Sequence, residues 1–288
     1  MERNRRIATW VGTILGLFVA LALNAALAHA SDDAAVVEEF HHTYPLSASG
    51  RVALENINGA VHISAWDQNQ VKVDAVKRAS NEERLKNMEI RVMAQSDSIS
   101  IETQYLHGDD EWNDNSHHSP SAVEYTLTVP RNVRLDEIKL INGNLDIAGT
   151  TGEVRAQTIN GRLTAHGLTG EAKLETINGH MDATFERLPS HPIDLSSVNG
   201  RLEVTLPSDA KASIEATTVH GGIENDFGLH ANNHRFVGHD LRGELGGGGT
   251  RIHLSNVNGR IEVHHANDGH ALSPAKDLNR GDDEESEI

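Results

Sequence analysis

The 288-residue sequence contains no cysteine. No disulfide framework can hold this chain together, whatever the redox state of its compartment, and no lipobox cysteine is present to lipidate its start. Aromatic residues make up 4% of the chain, too few for a conventional aromatic core or a sugar-stacking groove. Basic residues are also scarce: 25 Lys+Arg stand against 42 Asp+Glu, a formal charge of −17. Nucleic-acid binding requires a basic footprint, and adsorption to anionic lipid requires a basic segment; the composition argues against both. No nucleophile elbow of the Gly-x-Ser-x-Gly kind occurs. The run Gly246-Gly247-Gly248-Gly249 is followed by neither Lys-Ser/Thr nor a helical pattern, so it is not a phosphate loop. No cofactor is expected.

The N-terminus reads as a secretory signal. Arg3, Arg5 and Arg6 precede an apolar stretch from Trp10 to Leu23, and Ala28-His29-Ala30 forms an A-x-A cleavage site. The alternative is an uncleaved anchor, because Ile7 to Leu27 is nearly long enough to span a bilayer. Cleavage would leave Ser31 first and 22 basic against 41 acidic side chains, a charge of −19, with no stable membrane anchor. The chain is therefore expected to be exported, to the periplasm or the cell surface.

What the sequence has in quantity is a repeated phrase. Ile141-Asn142-Gly143, Ile159-Asn160-Gly161 and Ile177-Asn178-Gly179 follow one another at a spacing of 18. The phrase returns at Val198-Asn199-Gly200 and Val257-Asn258-Gly259, and it occurs earlier as Ile57-Asn58-Gly59; Val219-His220-Gly221 is a degenerate copy. Fixed-period self-similarity signals stacked units, none of which can bury its own apolar face. Counting from each Asn, position −1 is always β-branched, −4 is always apolar, and −6 is apolar except at Asp136. Position +3 is apolar throughout and +5 nearly so. This is period-two alternation of half-buried strands. Apolar residues at both −4 and −1 flip the parity, which calls for a corner or bulge between the two strands. Each unit then reads as strand, Asn-Gly corner, strand. The fold class expected is all-β, a β-solenoid or parallel β-helix-like stack of coils of about 18–21 residues. The alternative is a run of Asn-Gly hairpins in an up-and-down antiparallel sheet.

Residues 131–265 would carry the repeats, and 31–130 a β cap containing the first copy, with one short helix over Glu82 to Met88. A polar loop follows Tyr105, and its His107, Asp109, Asp110, His117 and His118 lack recognised metal-ligand spacing; they read as a solvated loop or, in the alternative, a weak metal site. His41-His42 and His264-His265 read the same way. The spacing of 38 from His220 to Asn258 suggests one missed coil across 228–249. Residues 266–288 read as a disordered acidic tail.

The run from Gly50 to Trp66, GRVALENINGAVHISAW, the later YTLTVPRNVRL, the repeated (I/V)NG phrase and the closing GELGGGGTRIHLSNVNGRIEV together resemble the bacterial putative-adhesin family, a β-strand-repeat domain of unknown function. The resemblance spans roughly residues 38–265. It implies a solenoid-like fold, export and an adhesin role, and it supplies no catalytic residues.

Position +4 carries Asp146, Asp182, Glu203, Glu224 and Glu262, and position +2 carries Arg162, His180, Arg201 and Arg260. In stacked coils the acids would stand about 4.8 Å apart. They read as a solvated, charge-compensated face; the alternative is a catalytic or Ca²⁺-binding acidic column, although no Gly-Gly-x-Gly-x-Asp repeat is present. Asn58, Gly59, Asn142, Gly143, Asn160, Gly161, Asn178, Gly179, Asn199, Gly200, Asn258 and Gly259 are assigned a structural role, with no metal ligand and no catalytic residue among them. The reading is an exported, non-catalytic adhesin or envelope scaffold acting on an unknown protein or glycan surface. A periplasmic polysaccharide-active enzyme and an envelope signalling ectodomain are the rivals.

Overall fold

The computed structural model describes residues 35–106, 121–233 and 238–279. The signal segment, the His/Asp loop 107–118 and the end of the acidic tail lie outside them. The first strands are β1 Val36–Pro45, β2 Arg51–Asn58, β3 Val61–Trp66 and β4 Gln70–Ala79. Helix α1, Glu82–Lys86, is capped by the Asn81 side chain, which accepts the Arg84 N–H at 2.8 Å. Then come β5 Met88–Ala94, β6 Ser98–Tyr105, β7 Ala122–Pro130, β8 Arg134–Asn142 and β9 Leu145–Ala148. The repeats continue as β10 Val154–Asn160, β11 Leu163–Leu168, β12 Ala172–Asn178, β13 Met181–Phe185, β14 Ile193–Asn199 and β15 Leu202–Leu206. The chain closes with β16 Ala212–His220, β17 Ile223–Asn225, β18 Asn232–Asn233, β19 His239–Leu245, β20 Thr250–Asn258, β21 Ile261–His265 and β22 Ala275–Asp277.

These strands form two large sheets. One runs β1-β4-β7-β3-β9-β11-β13-β15-β21-β17; the other runs β18-β19-β16-β20-β14-β12-β10-β8-β2-β6-β5. Each Asn-Gly phrase joins a strand of the second sheet to a strand of the first, so each repeat forms a rung with one strand in each sheet. Neighbouring rungs pair parallel and in register: Asn142↔Asn160, Asn160↔Asn178 and Asn178↔Asn199 are partners. Parallel pairing of successive repeats excludes the hairpin alternative. The apolar columns at −6, −4, +3 and +5 face inward, where Leu54, Leu174, Leu195, Leu163 and Leu202 are fully buried.

The parity flip falls at the Asn-Gly corner, between −2 and +3, and not before −1. Position −2, not −1, is the next inward residue, and it is small and mostly polar: Asn56, Thr158, Thr176, Ser197, Asn256 and Thr218 are all buried, with Leu140 the apolar member. Several of these side chains donate to the carbonyl of a corner glycine, as Asn256 does to Gly200 at 2.8 Å and Thr218 to Gly259 at 3.1 Å. These donors support some corners and not all: Leu140 has none to give, and the Thr176 and Ser197 hydroxyls are buried without a partner. The β-branched −1 residues point outward instead. Ile57, Ile141, Val198, Val219 and Val257 are each about two-fifths exposed.

The exception at Asp136 is absorbed by a bulge. Both neighbours of β8 skip a residue there: Val52 pairs Leu135 and Leu54 pairs Ile138, while Val154 and Ala156 take the same two partners from the other side. Leu135 thereby fills the inward place that Asp136 would have spoiled. Among the described residues, Glu137 in this bulge is the one non-glycine residue with positive φ, at 63°.

Rung order departs from chain order at both ends. Rung β20–β21 lies between β14–β15 and β16–β17, pairing Asn258 with Asn199 on one side and with His220 on the other. The interval of 38 is therefore not a missed coil. The chain first builds the outer rung, covers β16 with antiparallel β19, and returns through the glycine turn 246–249 to fill the gap. At the other end, β6 and β7 lie parallel to β2 and β3 on their outer side, so the first copy is flanked by rungs from later in the chain. Antiparallel β1, β4 and β5 close that end, which limits the edge available to other chains. Residues 266–279, expected to be disordered, pack instead: β22 pairs with β19, and Ser273 N–H donates to the Ser208 carbonyl at 2.8 Å. None of the described helices is long and apolar enough to cross a membrane.

Candidate functional site

The corner where the sheets meet carries the twelve Asn-Gly residues singled out by sequence. The six asparagines form one hydrogen-bonded file. Asn142 donates its side-chain amide to the Asn58 amide oxygen at 2.9 Å, Asn160 to Asn142 at 2.8 Å and Asn178 to Asn160 at 3.0 Å. Asn199 donates to Asn178 at 2.9 Å, and Asn258 to Asn199 at 2.8 Å. Five of the six are exposed, so water competes for every bond. The glycines beside them stack so closely that a Cβ on Gly179 would fall on the Gly161 carbonyl oxygen. These residues set the geometry of the corner.

Two outer faces remain. On the longer sheet, the −1 residues Ile57, Ile141, Ile159, Ile177, Val198, Val257 and Val219 stand on successive rungs, a file roughly 29 Å long at the usual strand spacing. A groove of about 320 Å³ lies over its first half, walled by Ile57, Ile141 and Ile159 and rimmed by Glu55, Glu102, Lys139 and Gln157. Lys139 is anchored to Glu55 at 3.1 Å and to Glu137 at 3.5 Å. Among the described residues, none that lines the groove is aromatic. The −1 file is expected inside because its residues are apolar, as those at −4 are. Only the register of the corner turns them outward.

On the other sheet, the acidic +4 file is laced to the basic +2 file. Arg201 bridges Glu203 at 3.1 Å and Glu262 at 3.4 Å, while Arg260 reaches Glu224 at 3.1 Å and Glu262 at 3.9 Å. His62 pairs with Asp146 at 2.9 Å. His264 enters this network from the next outward position of β21. Its Nδ1 lies 2.9 Å from Asp226, and its Nε2 lies 3.4 Å from Glu262 and 3.7 Å from Glu203. Partial burial pushes its pKa down, but the bonds to Asp226 and Glu262 outweigh that and leave it raised. The spacing puts Glu203 and Glu262 in one acidic file but not side by side, because they meet only through the late insertion of β21 beside β15. The adjacent histidines do not act together. His265 turns toward Ser208, with Nδ1 3.1 Å from the hydroxyl. His41 sits between Asp74 at 2.7 Å and Glu39 at 3.2 Å, while His42 packs between the Phe40 and Tyr44 rings.

No protein-family profile matches the sequence, and no curated protein matches it. Several solved structures are similar. A putative cell adhesion protein from Clostridium sporogenes aligns with 80% of this chain and 100% of its own at 14% identity, with a TM-score of 0.46. A putative adhesin from Bacteroides fragilis aligns with 80% of this chain and 97% of its own at 10% identity, with a TM-score of 0.39. A putative lipid binding protein from Parabacteroides distasonis aligns with 79% and 96% at 10% identity, with a TM-score of 0.24. Likeness of this degree assigns no function to the chain.

Proposed function

We propose that the chain is an exported, non-catalytic β-solenoid that serves as an adhesin-like binding module or scaffold of the cell envelope, with the outer face of the longer sheet as its binding surface. The observation that carries this reading is the outward file of β-branched side chains. Single exposed aliphatics are ordinary, and β propensity favours them in strands. An aligned file with a groove over it is the kind of apolar patch that marks an interaction surface. The pairing of acids with arginines on the opposite face supports a scaffold over a glycan-cleaving enzyme, as does a groove with aliphatic rather than aromatic walls. Export is supported by the basic and apolar N-terminal pattern and by the acidic composition.

Cell fractionation places the chain, and capture of envelope protein and glycan by the purified chain tests the surface. The variant Ile57→Lys/Ile141→Lys/Ile159→Lys is expected to keep the melting temperature within a few degrees and to lose the captured partner. Capture that is unchanged in this folded variant removes the sheet face from the proposal. Recovery of the chain in the cytoplasm removes the export.

A further inference from the structure

We propose that His264 Nε2, Glu262 and Glu203 form a binding site for a divalent transition-metal ion, Zn²⁺ foremost, on the outer face of the shorter sheet. Three features point to a cation at this place. The first is spacing. Ligands about 2.1 Å from a tetrahedral zinc ion are about 3.4 Å from one another. The Nε2 to Glu262 distance is 3.4 Å and the Nε2 to Glu203 distance is 3.7 Å, so small side-chain shifts would close the site, and the donor atoms of all three lie within 4.8 Å of one another. The second is the ring's orientation. A metal-binding histidine characteristically gives its other N–H to a carboxylate, which fixes the tautomer and aims the free nitrogen. Asp226, which is not one of the three ligands, holds Nδ1 at 2.9 Å from the neighbouring strand end. The third is charge. Glu203, Glu224, Asp226 and Glu262 face two fixed cations, Arg201 and Arg260, together with the His264 ring, which must be neutral to bind a metal through Nε2. Two negative charges are left over, matching one divalent ion. A nitrogen ligand beside two carboxylates selects a transition metal over Ca²⁺ or Mg²⁺, which prefer oxygen alone. Side-chain exposures of 12% for Glu262, 25% for Glu203 and 35% for His264 leave an open position for water.

Arg201 competes for the same carboxylates, which gives the proposal its test. Zn²⁺ is titrated into the purified full chain by calorimetry, with Co²⁺ absorption as a second readout of tetrahedral nitrogen–oxygen ligation. The other histidines of the chain supply background binding, so the signal is the difference between variants. His264→Ala and Glu262→Gln are each expected to lose one equivalent, or to bind it at least about tenfold more weakly, and to lose its Co²⁺ spectrum. Asp226→Asn, with all ligands intact, is expected to weaken binding about 10- to 100-fold. Arg201→Ala is expected to tighten it. Excess Ca²⁺ is expected not to displace the ion. Equal binding by the wild type and His264→Ala overturns the proposal. So does equal weakening in all four variants including Arg201→Ala, because that loss would be structural.

Discussion

Gly179 and Asn178 stand side by side in the corner, and their contributions differ in kind. A side chain on Gly179 would meet backbone, the Gly161 carbonyl, which no rotamer change can move aside. Its φ of 155° adds a second reason against a side chain. Gly179→Ala is expected to cost about 1–3 kcal/mol, as overpacking does, and Gly179→Val more. Asn178, if it were buried, would leave two amide partners unpaired when lost. Its exposure changes that, because water can replace the partners: Asn178→Ala breaks the bonds to Asn160 and Asn199 at about 1 kcal/mol. Asp182→Ala, on the outer face, is expected to leave stability within about 0.5 kcal/mol. Melting curves of these variants rank the positions. A glycan-cleaving activity in the wild type that vanishes in Asp182→Ala would put the enzyme reading in place of the scaffold. Asp268 gives a prediction in pH. The backbone N–H groups of Ser208 and His270 donate to its carboxylate and hold its pKa at about 2, below an ordinary 3.8. A depressed carboxylate stabilises the fold above its unfolded value and ceases to as pH falls through its folded value. The tie from Asp268 to Ser208 should therefore be intact at neutral pH and lost between about pH 4 and pH 2, a component of the acid limb that is absent in Asp268→Asn.

At the scale of the strand, β8 shows how a repeat tolerates an error. Asp136 occupies a column that is otherwise apolar, and a straight strand would bury its carboxylate. The bulge carries it to the outer face, where it lies 3.5 Å from Arg155. The cost is a left-handed conformation at Glu137, about 1–2 kcal/mol for an L-residue. Glu137→Gly is expected to stabilise the protein by up to about 1 kcal/mol, since glycine relieves that strain but has more freedom to lose on folding. Deletion of Glu137 is expected to be tolerated, because it brings Leu135 into the −6 position and restores the regular ladder. Calorimetric unfolding of both variants checks this. A deletion that abolishes folding would show that the bulge is required by the groove-side packing of Lys139 with Glu55 and Glu137.

At the scale of the molecule, the insertion of β20–β21 ties the end of the chain to its middle. β14 has β12 on one side but lacks its second parallel partner, and β16 lacks its parallel partner, until residues 250–258 arrive. A chain ending at Gly249 is therefore expected to lose hydrogen-exchange protection over 212–225 while 134–185 stays protected, because stability in such a stack is carried by nearest-neighbour interfaces. Equal protection of both segments in the truncated chain would contradict this. Long-range pairing of this kind also slows folding.

The sequence by itself determined the strands, their inward columns and the stacking of equivalent asparagines, because each follows from local alternation and a fixed period. The in-register file Asn142, Asn160, Asn178 and Asn199 could be written down from a spacing of 18, 18 and 21. Only the tertiary structure decided which way the −1 residues face, since Ile and Val suit a strand whether buried or exposed, and the corner register is set by glycines packed against the backbone of the adjacent rung. It also decided the order of the rungs. A parallel slot accepts any strand with the right columns, and nothing local distinguishes the neighbour at 212–220 from the one at 250–258. The meeting of Glu203, Glu262 and His264 followed from that choice, between side chains about sixty residues apart in the chain whose strands are adjacent in the sheet.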